Sequence, residues 1–439
     1  MRQRQSTTLG TSSLLLAVTL TCAACSSIRT LMPTPLVYGL GNVTAFEALD
    51  PALTSNTVEV LYATDRAPTK DPETGQPRYS FERDPSFAIG VADVLLGPDL
   101  SWAELETDVQ TGNRRQNIPL TLASVREIAR TPPGPYPYEL VNGQFVLPES
   151  LQRRIDEDFK TGGKYLLQAL ARTKRKEAFI YVHGVGNSFE DALFVGAEFW
   201  HYLGREGLPV VYTWPAGHPG FGGYGYDRES SEFTISHFRE FLLGLASFKE
   251  IERIHIIAHS RGTDVVTTAL RELFAETRAA GLNPSEVFRI GNLVLAAPDL
   301  DFSVVQQRST RISYDVERMT IYTSKRDKAI GIASWLFDSG LRVGGVGLDD
   351  LTPEMRAALA RQENIAMVQY VGAKGGDYGH NYFRLNPSVA SDLVLLLRYD
   401  LAPGIENGRP LRPRVPGFWE IDDDYLVPAA TDRAGTRPN

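Results

Sequence analysis

The apolar run Ile254-His255-Ile256-Ile257 leads directly into Ala258-His259-Ser260-Arg261-Gly262, after which Val265, Val266, Ala269, Leu270 and Leu273 recur at helical spacing. The pattern predicts a strand, a sharp turn carrying a serine, and a helix. Such a turn lifts Ser260 Oγ out of a sheet, and the amides that open the helix point toward whatever the serine attacks. Side chains two positions either side of the serine would collide across so tight a turn, and Ala258 and Gly262 keep those positions small.

The rest of the chain repeats this rhythm. Leu151 to Arg172 reads as a helix, Ala178 to Val182 as a buried strand ending in His183-Gly184, and Phe189, Leu193, Gly196, Trp200 and Leu203 as one helix face. Val210 to Trp214 is the next strand, followed by a helix from about Glu229 to Phe248. Strands are expected at Leu293 to Ala297, Met319 to Tyr322 and Ala366 to Val371, and Asn386-Pro387 is an N-cap and first-turn pair for a last helix. Continuous apolar strands alternating with helices predict an α/β fold with a mostly parallel sheet covered by helices on both faces. Its core is expected over residues 151–403. Residues 57–150 read as an N-terminal extension with strands at Val58 to Ala63 and Ala88 to Leu96 and irregular chain at Thr131 to Pro137. After Pro403 the chain becomes rich in Pro, Gly and Asp, so residues 404–439 are expected to form an extended tail.

A chain of 439 residues with a formal net charge of -8 carries no electrostatic footprint for nucleic acid. The basic stretch Arg172 to Lys176 reads as the solvated end of a helix. At the N-terminus, Arg2 and Arg4 precede the short apolar stretch Leu14 to Leu20, and Cys22-Ala23-Ala24-Cys25 follows. This resembles a bacterial lipoprotein signal, with residues 1–24 removed and Cys25 lipidated. Residues 25–56, small, polar and Pro-rich, are then a tether. The expectation is a body held at a membrane by its N-terminal lipid and facing the periplasm of a bacterial cell envelope. Cleavage there would leave one cysteine, hence no internal disulfide and no thiolate metal site.

A serine hydroxyl is a poor nucleophile at neutral pH, so it needs a base within hydrogen-bond reach and a carboxylate to orient that base. In such sheets catalytic groups gather at the carboxyl ends of strands. Of the seven histidines, His380 alone follows the last predicted core strand, in the loop Gly375 to Phe383, and is the expected base. Asp327, just past the strand Met319 to Tyr322, is the expected acid, with Asp299 and Asp301 one strand earlier as alternatives. Two donors must meet a tetrahedral oxyanion: the backbone N–H of Arg261, and that of Val185 or Gly186 in the loop after His183-Gly184. The Arg261 side chain is expected in a surface salt bridge. Gly220, Gly222 and Gly225 match G-x-G-x-x-G formally, but Pro215 intervenes after the strand and no helix is expected to open on the third glycine. The segment reads instead as a mobile flap carrying Phe221, Tyr224 and Tyr226. No cofactor motif and no metal-ligand motif is present in the sequence.

Taken together, Leu61-Tyr62-Ala63-Thr64-Asp65-Arg66, Tyr181-Val182-His183-Gly184, Asn187 to Ala192, Thr213-Trp214-Pro215, Ala258 to Gly262 and Gly379 to Phe383 resemble the α/β-hydrolase superfamily, and more narrowly a bacterial esterase-like family of largely unassigned role. The resemblance implies a serine hydrolase acting on small-molecule or lipid esters, without a cofactor. A lipase, thioesterase or peptidase would use the same three residues, and a non-catalytic envelope scaffold could keep the fold to bind a partner.

Overall fold

A computed structural model describes residues 29–426, apart from 41–42, 113, 115, 221, 331–340 and 374–378. The signal segment with Cys22 and Cys25, Phe221, the middle of the loop before His380, and residues 427–439 therefore lie outside the described residues.

One sheet organises the molecule. Its strands are β1 (Thr57–Lys70), β2 (Pro77–Leu96), β3 (Leu120–Arg130), β4 (Glu177–Val182), β5 (Leu208–Thr213), β6 (Arg253–His259), β7 (Ile290–Ala296), β8 (Val316–Thr323), β9 (Ile365–Tyr370), β10 (Arg412–Val415) and β11 (Phe418–Ile421). Across the sheet they run β10-β11-β9-β8-β7-β6-β4-β5-β1-β2-β3. From β11 to β1 every neighbouring pair is parallel, while β2, β3 and β10 add antiparallel pairs at the two edges. This is the α/β-hydrolase arrangement with strands added at its N-terminal side.

The principal helices are α1 (Trp102–Gln110), α2 (Glu149–Ala171), α3 (Phe189–Tyr202), α4 (Gly223–Phe233), α5 (Ile235–Ser247), α6 (Gly262–Ala279), α7 (Phe302–Ile312), α8 (Pro353–Ala360) and α9 (Pro387–Leu397). Two apolar cores explain why the central strands read as unbroken apolar runs. In β4, Phe179 and Tyr181 join the core beneath α3 and α9, whereas Ala178, Ile180 and Val182 join the core beneath α5 and α6. Alternate side chains go to opposite faces of a strand, and here both faces are buried. The strand order reverses direction beside β4, since β5 leads toward β1 and β6 toward β9. Crevices outside the carboxyl ends of strands at such a switch point are where open α/β sheets bind ligands.

Three expectations are corrected. Residues 29–56 are not a free tether: Leu31, Met32, Val37 and Tyr38 are buried, Leu31 N–H donates to Ile118 O at 2.8 Å, and Val37 N–H donates to Ser391 Oγ at 3.1 Å. The prolines and small residues separate apolar pairs that find a core. The segment past residue 403 likewise supplies β10 and β11, its Pro413 tolerated on an edge strand. It is clamped by Arg409, whose fully buried guanidinium meets Asp392 of α9 at 2.8 Å. Finally, the helix expected over Glu229 to Phe248 is two helices. α4 opens at Gly223, inside the glycine-rich segment, and meets α5 at Thr234, whose hydroxyl is 2.8 Å from that of Tyr212 in β5.

Candidate active site

Ser260 sits between β6 and α6 with φ of 53°. A left-handed backbone costs a residue with a side chain about 1–2 kcal/mol. The turn offsets that with backbone bonds: Ser260 N–H donates to Ala296 O at 3.0 Å, and Ser260 O accepts from Thr263 N–H at 3.1 Å and Asp299 N–H at 3.3 Å. A Cβ on Gly262 would stand 2.4 Å from His183 O and 2.7 Å from Val182 O. The small residue read from the sequence is thus required where the start of α6 touches the end of β4.

Asp327 and His380 lie in the loops after β8 and β9, at the same edge as Ser260. His380 Nδ1 and Asp327 Oδ2 are 2.6 Å apart, with the carboxylate fully buried and the imidazole 16% exposed. The second carboxylate oxygen accepts from Ile330 N–H at 3.1 Å. Gly379, at φ of 68°, lets the two loops close on each other, since a Cβ there would be 2.7 Å from Arg326 O. The His380 ring lies 4.6 Å from the ring of His259, the residue before Ser260, and His259 rests on Phe383 at the same separation. Burial, helped by the neighbouring His380, holds His259 well below the usual histidine range. His259 therefore stays neutral beside the base. Among the described residues no hydrogen bond occupies His380 Nε2.

The two alternative acids are engaged elsewhere. Asp299 is buried and bonded to Arg342, accepts from Tyr224 Oη–H at 2.7 Å, and lies 3.8 Å from Arg261 Nε. Asp301 caps α7, accepting from Ser303 N–H at 2.8 Å. The expectation of a surface salt bridge for Arg261 is also corrected: its side chain is buried, donating to Asp264 at 3.0 Å as well as facing Asp299. The position after the turn serine points the guanidinium inward, between two carboxylates.

For the oxyanion donors the structure separates two candidates that sequence left open. Gly186 N–H donates to Asp227 Oδ2 at 2.8 Å, so it is occupied. The amides of Val185 and Arg261 have no backbone or side-chain acceptor among the described residues. The loop carrying Val185 is held from every side. Asn187 Nδ2 donates to Gly184 O and Val185 O, and the motif Ser188 to Asp191 is a capping box that starts α3. His183 donates from Nδ1 to Gly184 O at 2.7 Å and accepts from Trp214 N–H at Nε2 at 3.0 Å, its ring stacked on the indole. Burial keeps it neutral, well below the usual histidine range.

Three features of this site were given no role in the sequence reading. Arg66 is almost wholly buried and donates to Asn187 O at 2.8 Å and Ala216 O at 2.8 Å; burial pulls it down to about 10. Asp227 receives three backbone amides. Asp65, fully buried, meets His237 Nδ1 at 2.9 Å; burial opposes the imidazolium, but the bond and charge of Asp65 outweigh it and raise His237 above the usual range. The available signals were the pair of charges Asp65-Arg66 at the end of an apolar run and its place in a motif that carries the resemblance. In the glycine-rich segment, Tyr224 and Tyr226 are anchored rather than facing open space: Tyr226 packs on His218 at 4.5 Å and lies under the Arg83 guanidinium. Among the described residues no group of three or more His, Cys, Asp or Glu could hold a metal ion.

Residues 161–398, more than half of the chain, match the family described as "Alpha/beta hydrolase of unknown function (DUF900)". The chain belongs to this family. The matched segment of this alpha/beta hydrolase contains Val185, Ser260, Asp327 and His380, and leaves β1 to β3 and the last two strands outside. No curated protein matches the chain. No helix among the described residues of the hydrolase is long and apolar enough to cross a membrane.

Proposed function

We propose that this chain is a serine hydrolase that cleaves carboxylic esters, lipid or acyl esters included, through an acyl-enzyme. The observation that carries the reading is the 2.6 Å pair of Asp327 and His380 beside the strained Ser260 turn. Asp327 holds His380 in the tautomer with Nδ1 protonated, leaving Nε2 to take the proton of Ser260 Oγ as it attacks the ester carbonyl. The oxyanion is received by the amides of Arg261 and Val185. His380 then returns the proton to the leaving alcohol, and water repeats the sequence to release the acid. Asp299 plays no part in the proton transfer, being held by Arg342 and Tyr224.

The test is covalent. A fluorophosphonate probe should label the wild type, and Ser260→Ala should abolish labelling and lower ester turnover on the order of 10⁶-fold, because nucleophile and base act as one unit. Labelling retained in a folded Ser260→Ala protein would overturn the assignment. We further propose that Cys25 is lipidated and anchors the hydrolase in the bacterial envelope. Cys25→Ser should then move the protein from the carbonate-washed membrane fraction to the soluble one while short-chain ester turnover stays nearly unchanged. Retention of the variant on the membrane would exclude Cys25 as the anchor.

A further inference from the structure

Helix α4 bonds to both sides of the candidate oxyanion hole. Asp227, on its inner face and 1% exposed, accepts from Gly186 N–H at 2.8 Å and Gly217 N–H at 2.9 Å through Oδ2, and from His218 N–H at 3.2 Å through Oδ1. It thereby ties the loop carrying Val185 to the loop that follows β5. Nearly one turn earlier on the same helix, Tyr224 Oη–H donates to Asp299 Oδ2 at 2.7 Å, and Asp299 in turn faces the Arg261 guanidinium. The amides of both Val185 and Arg261 have no acceptor among the described residues.

We propose that α4 sets the distance between the two oxyanion donors, Asp227 fixing the Val185 side and Tyr224, through Asp299, fixing the Arg261 side. The inference rests on the serine hydrolase reading given above, and it makes Asp227 and Tyr224 positioning residues. The physical case for Asp227 is one of inventory. Three converging N–H groups require acceptors, which a carboxylate supplies with two oxygens and an asparagine with one. Asparagine would turn an NH₂ group toward one of the three donors, and the loop would have to move to relieve it. A displacement of about 1 Å at a catalytic group costs on the order of 10²-fold in rate. The negative charge of Asp227 does not work against the oxyanion unopposed: three amide dipoles meet it, and the nearby Arg66 guanidinium, which also bonds Asn187 O and Ala216 O, offsets it.

Asp227→Asn should lower kcat roughly 10- to 100-fold with KM changed less than about twofold, the mark of an interaction made only in the transition state. The affinity of an alkyl boronic acid, which forms a tetrahedral adduct on the serine, should fall in parallel with kcat/KM. Tyr224→Phe removes one hydroxyl and should lower kcat about 3- to 10-fold with the same signature. A merely structural role would instead lower the folded fraction and leave kcat per folded molecule and boronate affinity alone, which would overturn the proposal. If Asp227→Asn does not fold, Tyr224→Phe decides by the same criteria. Amide hydrogen exchange separates this proposal from the reading beneath it. Faster exchange at Gly186, Gly217 and His218 in Asp227→Asn is expected whether or not the wild type is active, and unchanged exchange overturns the clamp. Absence of ester turnover and of probe labelling in the wild type overturns the hydrolase reading itself.

Discussion

Each edge of the sheet holds a histidine against a carboxylate, and the two pairs have different freedoms. At the N-terminal edge, His255 Nε2 donates to Glu177 at 3.0 Å and its Nδ1 accepts from Asn292 N–H at 3.1 Å, so both nitrogens are used. Glu177 is also bonded to Arg175 and lies 4.0 Å from Arg253. Burial outweighs Glu177 and keeps His255 below the usual histidine range. At the C-terminal edge, His380 spends one nitrogen on Asp327, and that carboxylate meets no arginine or lysine in any salt bridge among the described residues. An imidazole-carboxylate pair is therefore not a site by its composition. What separates the two is one ring nitrogen without a hydrogen bond among the described residues, on an imidazole packed against His259, the residue before the serine held at positive φ.

The largest expected effect tests that separation directly. Asp327→Asn should leave the fold intact and lower kcat roughly 10⁴-fold, because an amide would hold His380 in the wrong tautomer, whereas Asp299→Asn should act far less. Steady-state kinetics of both variants decides it, and a reversed order would move the acid one strand earlier.

A second expectation concerns the pH dependence of the fold. His183, His201 and His259 are buried and held neutral chiefly by burial. Below about pH 6.5 the unfolded chain binds protons at these positions and the native one does not, so stability falls as pH falls. These three groups act in the same direction, as does His255, so stability should fall as pH is lowered from 7.5 to 5.5. His237, raised by Asp65, opposes this in part: its contribution is complete below its unfolded value and is lost as pH rises through its higher folded one. Urea midpoints across this range measure the balance. Stability that stays flat would mean the buried rings accept protons in place.

The smallest effect concerns the N-terminal pair. Glu177→Gln should cost about 2 kcal/mol, since His255 and Arg175 lose charge-assisted bonds and Arg253 loses a nearby charge, with kcat unchanged. A fall in kcat matching the Asp327 variant would erase the distinction between the two edges.

The central fold was legible because it rests on local patterns. The runs around Ile180, Ile256 and Leu293 are apolar on both faces, and Asn386-Pro387 caps α9 as the pair implies, with Asn386 Oδ1 accepting from Ser388 N–H at 2.9 Å. The placing of Ser260, Asp327 and His380 at one edge follows from the same patterns, each residue lying in the connection that follows a strand. Residues whose roles depend on distant partners were not legible. Asp227 acquires meaning only from amides contributed by two other loops, and Arg66 only from Asn187, Ala216 and Thr213. Short edge strands such as Arg412–Val415 fell below the length at which alternation can be read, and prolines hid the buried Leu31 and Tyr38.

Both ends of the described chain grip α9. Arg398, at its C-cap, donates to Thr44 O and Ala45 O at 2.8 Å, Ser391 accepts from Val37, and Asp392 pairs with Arg409. The contacts of Val37, Thr44 and Ala45 join residues more than 350 positions apart, and such pairings form slowly because the loop between them must close first. Docking of the N-terminal segment on α9, which follows the His380 loop directly in sequence, is therefore expected to come late in folding. A chain cut after residue 403 would lose Arg409 and leave Asp392 buried without its cation, a loss of the order of 3–5 kcal/mol. Of the three residues proposed for chemistry, His380 comes last in the chain and precedes the helix on which the two ends of the described chain meet.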